Sequence, residues 1–165
     1  MDYKPLIALA LLLPATAWAQ DMQLPTRRAG LWEGTTKMGQ NTVQSRSCVD
    51  PATDHKMMEF GAEKLKQMGG QMTVKIDGNI IHMTTVAVIA NHTMTMQETL
   101  TKVSDTEYTG VGHMSVDPPF PQMATAFPGD STSEQHWVGP CPADMKPGDM
   151  ETNGHRHNIN DLMTK

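Results

Sequence analysis

Between residues 71 and 116 apolar and polar side chains alternate with period two, and turn signals interrupt the run at Asp77-Gly78, Ala90-Asn91 and Ser104-Asp105. That alternation belongs to strands with one buried and one solvated face, so the stretch is expected to fold as a four-stranded antiparallel meander. A two-residue turn at Asp77-Gly78 pairs Ile76 with Asn79, Val74 with Ile81 and Met72 with Met83. One face then collects Met72, Val74, Ile76, Ile81, Met83, Ala87 and Ile89. Continuing through Ala90-Asn91 adds His92, Met94, Met96 and Leu100 to that face and sends Thr93, Thr95, Thr99 and Thr101 to the other, where threonine suits a solvated sheet. A meander this apolar on one side has to be covered.

The cover is supplied by the segment before it. Asp50-Pro51 has the chemistry of an N-cap and first helical position, and Gly69-Gly70 that of a stop. Between them Met58, Ala62, Leu65 and Met68 fall on one helical face, with Lys56, Glu63, Lys64 and Lys66 off it. Ahead of the helix, residues 30–33 open a strand, Gly39, Gln40 and Asn41 form a turn, and residues 42–48 return. After the meander, residues 117–133 carry Pro118, Pro119, Pro121 and Pro128 around Phe120, Met123 and Phe127, which predicts a long loop able to act as a lid. A last strand over residues 135–139 and a short hairpin about Asn153-Gly154 complete the chain. The expected fold class is mainly β with a minor α part: a curled antiparallel sheet or half-barrel meander covered by one amphipathic helix.

Residues 1–19 have the layout of a cleaved secretory signal peptide: Lys4 in a basic start, an apolar run over 6–13, and small residues ending in Ala17-Trp18-Ala19. The run is far shorter than the roughly 20 apolar residues of a membrane span, so no transmembrane anchor is expected after cleavage. No cysteine follows it that could take a lipid. Residues 20–165 then make one β-rich domain, expected in the periplasm. The formal net charge is −5, and no Lys/Arg run exceeds Arg27-Arg28, which argues against nucleic acid as a partner. The two cysteines, Cys48 and Cys141, are most simply one disulfide in an oxidising compartment, worth roughly 4–5 kcal/mol by loop closure; a reactive or metal-binding thiol pair is the alternative.

Fifteen methionines and seven histidines are the compositional oddity. Thioether and imidazole together are the ligand set of a soft ion such as Cu(I). His92, Met94 and Met96 point to one side of a strand. A two-residue turn at Ser104-Asp105 sets His113 opposite Met96, whereas a one-residue bulge sets Met114 there. Core packing is the simpler role, because methionine fills irregular apolar interiors. His155 and His157 with Asp161 form a second candidate for a divalent ion, short of a fourth ligand. Glu98, placed opposite Met83, is the polar exception on the apolar face. The enzyme signatures G-x-S-x-G, H-E-x-x-H and a Gly-rich phosphate loop are absent, so a non-enzymatic role without cofactor is expected: binding of a small apolar ligand or an envelope partner, with copper binding as the alternative.

The segment Arg28-Ala29-Gly30-Leu31-Trp32-Glu33 followed by Cys48, together with Trp137-Val138-Gly139-Pro140-Cys141-Pro142-Ala143-Asp144-Met145-Lys146-Pro147-Gly148-Asp149-Met150, resembles the bacterial secreted family catalogued as domain of unknown function 3617. The resemblance implies an envelope location and pairing of the terminal cysteines, and implies no activity. Trp32 and Trp137 are expected to pack beside the disulfide.

Overall fold

The computed structural model describes residues 25–120 and 129–163. Residues 1–19, expected to be a signal peptide, and the central part of the Pro/Phe loop, with Met123 and Phe127, lie outside the described residues. Among the described residues nine strands form one open antiparallel sheet in the order β3-β4-β5-β6-β7-β1-β2-β8-β9. They are β1 (Gly30–Met38), β2 (Asn41–Val49), β3 (Gln71–Asp77), β4 (Ile80–Ile89), β5 (His92–Ser104), β6 (Glu107–Asp117), β7 (Asp130–Gly139), β8 (Asp149–Thr152) and β9 (His155–Asn158). The main helix is α1 (Pro51–Gln67), and a short α2 (Ile159–Met163) follows β9.

Strands β2 and β3 are consecutive in the chain yet six positions apart in the sheet. At about 4.8 Å per strand, six intervals span about 29 Å if flat. The 17 residues of α1 extend about 25 Å. A helix that leaves from β2 and delivers the chain to β3 therefore has to run across the sheet. It contacts both strands.

Asp50 caps α1: its carboxylate accepts from the Thr53 amide at 2.8 Å, and the Thr53 hydroxyl accepts from the Asp50 amide at 3.0 Å. Thr53 and Asp54 are buried, and Met57, Met58, Ala62 and Leu65 are half-buried. Met68 departs from the expected face and is 57% exposed. It is the C-cap, and the chain swings away there as Gly69 turns at φ +75°.

The meander has the expected strands and the expected faces, with one shift. Ile76 pairs with Ile81 and Val74 with Met83, because the first turn is centred on Gly78-Asn79 rather than Asp77-Gly78. Moving the register by two residues leaves each side chain on its own face. The second turn lies at Ala90-Asn91, both residues at positive φ, and sets Ile89 opposite His92. The third contains a bulge between Lys102 and Ser104, which sets Met96 opposite Met114 and Gln97 opposite His113. Strand β7 starts at Asp130, earlier than expected, and residues 130–133 leave the loop to pair with β6 and β1.

Each face has its own core. Leu31, Cys48 and Met145 cluster with Cys141 on the side away from α1, where Cys48 and Cys141 form a disulfide with Cα atoms 5.6 Å apart across 93 positions. Trp32, Val49 and Tyr108 cluster with Met57 and Trp137 on the side of α1. The tryptophans therefore pack against the helix side and not beside the disulfide: Leu31 is the register partner of Cys48, so its neighbour Trp32 points the opposite way. Trp32 and Tyr108 meet edge to face at 5.6 Å. The face away from α1 also carries a row of polar side chains over six strands, in which Glu107, His136, Glu33, Arg46, Glu151 and Arg156 are successive register partners and the charges from Glu33 to Arg156 alternate in sign. Arg156 reaches on to Asp144 at 3.0 Å.

Candidate functional site

A cleft of about 270 Å³ lies between α1 and the sheet. Met57 and Met58 descend into it from the helix. Ile81, Met83, Leu100, Tyr108 and Gln135 rise from β4, β5, β6 and β7, and Pro25 and Arg27 close one side. Ile81 stands opposite Leu100 in the ladder, so the apolar floor is continuous across β4 and β5. Burial raises the Tyr108 hydroxyl above the usual tyrosine range.

The segment ahead of β1 is fastened at several points. The Arg27 amide donates to Asp54 Oδ2 at 2.7 Å, and its Nε and Nη2 donate to Oδ1 at 2.9 and 2.6 Å. Nη1 donates to Gln135 Oε1 at 3.2 Å and lies 3.5 Å from Ser47 Oγ. Next in the chain, the Arg28 guanidinium stacks 3.8 Å from the Trp137 ring. The two indole N–H groups donate to the carbonyls of this segment, Trp32 to Arg28 at 2.8 Å and Trp137 to Ala29 at 2.9 Å. The Arg27 guanidinium thus spends its donors on Asp54, Gln135 and Ser47, and has little left for an anion in the cleft.

Glu98 stands beside the cleft, opposite Met83 and two residues from Leu100 on the same face of β5. Its carboxyl is half-buried, makes no hydrogen bond or ion pair among the described residues, and is raised above the usual glutamate range by desolvation.

The residues proposed from sequence as metal ligands divide into two groups. Met94, Met96 and Met114 share the face of the sheet that α1 covers, with Met96 and Met114 as direct cross-strand neighbours. His92 is on the same face but four residues from Met96, about 14 Å along an extended strand. Its Nδ1 bonds the Pro118 carbonyl, and its ring stacks on Phe120 at 3.8 Å. Since a carbonyl only accepts, Nδ1 carries the proton and Nε2 keeps its lone pair in the neutral ring. His113 lies on the opposite face, where its Nδ1 is 2.7 Å from Asp130 Oδ1. His155 and His157 share one face of β9, and Asp161 lies in α2; among the described residues no three His, Cys, Asp or Glu side chains gather as a metal group.

Two larger depressions, about 510 and 700 Å³, have mixed linings in which charged, polar and apolar side chains alternate without a continuous apolar floor. The first lies over the charge row, where Glu33, Arg46 and Glu151 already answer one another. The smaller apolar cleft is the stronger candidate, because buried apolar surface with a few fixed polar groups is what holds a small molecule. Sequence pattern identifies its floor at Ile81, Met83 and Leu100. Arg27, Asp54 and Gln135 carry no such signal: Asp54 looks like an ordinary acidic residue of a first helical turn.

No helix among the described residues is long and apolar enough to cross a membrane. Neither a curated protein nor a solved structure matches this chain. A family model, described as a protein of unknown function (DUF3617), matches residues 27–141, from the arginine that fastens the leading segment to the second disulfide cysteine. The chain belongs to that family.

Proposed function

We propose that this protein is a non-enzymatic, periplasmic binding protein that takes a small apolar ligand into the cleft between α1 and the sheet. The observation that carries the proposal is the lining: Met57, Met58, Ile81, Met83 and Leu100 leave an apolar space beside the fixed Arg27–Asp54 pair. Its volume of about 270 Å³ is near the lower end of small-molecule sites, which suits one short chain or a ring compound and is too small for a two-chain lipid. Methionine walls adapt to ligands of differing shape. The disulfide and the signal-like residues 1–19 support an oxidising compartment.

The test is titration of the mature, oxidised protein with the neutral fluorophore N-phenyl-1-naphthylamine. Met83→Trp fills the cleft from the sheet and Met58→Trp fills it from the helix. Saturable binding by the native protein, lost in both variants while their thermal unfolding stays cooperative, is expected. Binding unchanged in both variants, or absent from the native protein, contradicts the proposal.

A second reading has a specific observation in its favour. Met96 and Met114 are cross-strand partners, Met94 is on the same face, and three adjacent thioethers suit Cu(I). His92, whose Nε2 has no hydrogen-bond partner among the described residues, stands at the end of the same face. Uptake of Cu(I) in competition with a colorimetric chelator, abolished by Met94→Leu with Met96→Leu, is the expected result; no uptake removes this reading.

A further inference from the structure

We infer that Glu98 forms a head-group niche at the edge of the cleft, so that the ligand class is an apolar amine and not an apolar acid. The inference rests on the cleft being a ligand site.

The niche follows from where the sheet lacks side chains. Leu100 is opposite Gly110 and Glu98 is opposite Gly112, and the Glu98 carboxyl leans over Gly110. A Cβ at Gly110 would collide with Ser133 Oγ, and it would meet Leu100 Cδ2 at 2.7 Å and Glu98 Oε1 at 3.5 Å. A Cβ at Gly112 would meet Ser131 Oγ at 2.6 Å. The Glu98 carboxyl and the Ser133 hydroxyl therefore lie together over Gly110, next to the apolar wall of Leu100 and Met83, and the Ser131 hydroxyl lies over the neighbouring Gly112. Ser131 and Ser133 face this way because they are the register partners of Gly112 and Gly110.

The charges around the cleft decide the sign of the guest. Arg27 is occupied by Asp54, Gln135 and Ser47. Lys102, four residues beyond Glu98, is held by Asp105 at 2.6 Å. Among the described residues around the cleft, the charge without a partner is the Glu98 carboxyl, desolvated by its surroundings. A guest ammonium would donate to it and to the serine hydroxyls while its chain follows Leu100 and Met83 into the cleft. A guest carboxylate would meet like charge at the same place.

The experiment is displacement of N-phenyl-1-naphthylamine from the full mature chain by octylamine, octanol and octanoate, three guests alike in chain and different in head. In the native protein octylamine is expected to displace at least about tenfold better than octanoate, the effect of one charge-assisted hydrogen bond. Glu98→Gln should erase that preference and leave octanol unchanged. Asp77→Asn removes the same charge from an exposed strand end and should keep it. Equal displacement by all three guests in the native protein, or a preference that survives Glu98→Gln or is lost in Asp77→Asn, overturns the inference while leaving the cleft reading intact. Failure of the fluorophore to bind overturns the cleft reading and the inference with it.

Discussion

Arg27 and Asp54 make a closely satisfied pair in the helix-side core, but unequally: the Asp54 side chain is 3% exposed, and that of Arg27 is 21% exposed. Arg27→Ala leaves a buried carboxylate without its partner, whereas Asp54→Ala leaves a guanidinium that can still reach water. Chemical denaturation should therefore show a loss of about 3 kcal/mol for Arg27→Ala and about half that for Asp54→Ala. Equal losses would mean that the pair contributes through packing alone. Glu98 is the converse case, a half-buried carboxyl with no partner among the described residues. Burial raises it, so the folded chain holds its proton more tightly than the unfolded chain does. Its contribution to stability falls as pH rises from the usual glutamate range through the raised folded value. Asp50 and Asp144 are lowered, by the Thr53 amide and by Arg156 respectively, and contribute in the opposite sense, with stability lost at acid pH. Subtracting Glu98→Gln from native stability across pH isolates the first term. The variant should be the more stable at pH 7, and the difference should shrink as pH falls to about 4. A difference independent of pH would contradict the account.

At the scale of elements, the row of charge from β6 to β9 holds the C-terminal hairpin in register. Glu151 lies between Arg46 and Arg156, so Glu151→Lys brings three positive charges together. The members are partly exposed, and the expected cost is about 1 kcal/mol at low salt, largely recovered in 1 M NaCl. Thermal melting at the two salt concentrations checks it; a cost independent of salt would assign the effect to packing. None of this row is visible in the sequence, because it depends on pairings between distant strands. The turns are visible, because Ala90-Asn91 and Asn153-Gly154 are local chemistry. So is α1, whose Asp50-Pro51 start and Gly69 stop are read from adjacent residues. The faces of the meander are legible through period two even where the Gly78-Asn79 turn moves the register, since a shift of two conserves parity. The start of β7 is not legible: Ser131 and Ser133 face glycines and need no apolar bulk, so Asp130 to Ser133 have the composition of a loop. The bulge after Lys102 decides between His113 and Met114 at the position opposite Met96, and nothing local marks it.

Over the whole molecule, an open sheet carries the disulfide and the charge row on one face and, on the other, a helix with an apolar cleft beneath it. The disulfide joins the end of β2 to the segment after β7, fixing that side around Leu31 and Met145. On the other side α1 leaves the apolar cleft beneath Met57 and Met58, and the thioether group of Met94, Met96 and Met114 lies apart from the cleft lining. This separation makes methionine the natural reporter. The most direct measurement is a titration of methyl-labelled methionine protein with octylamine, followed by NMR. The account predicts saturable shifts of the Met57, Met58 and Met83 methyl resonances at equal apparent affinity, while those of Met94, Met96 and Met114 stay in place. No saturable shift at the first three, or shifts centred on the other three, would contradict a binding cleft beneath the helix.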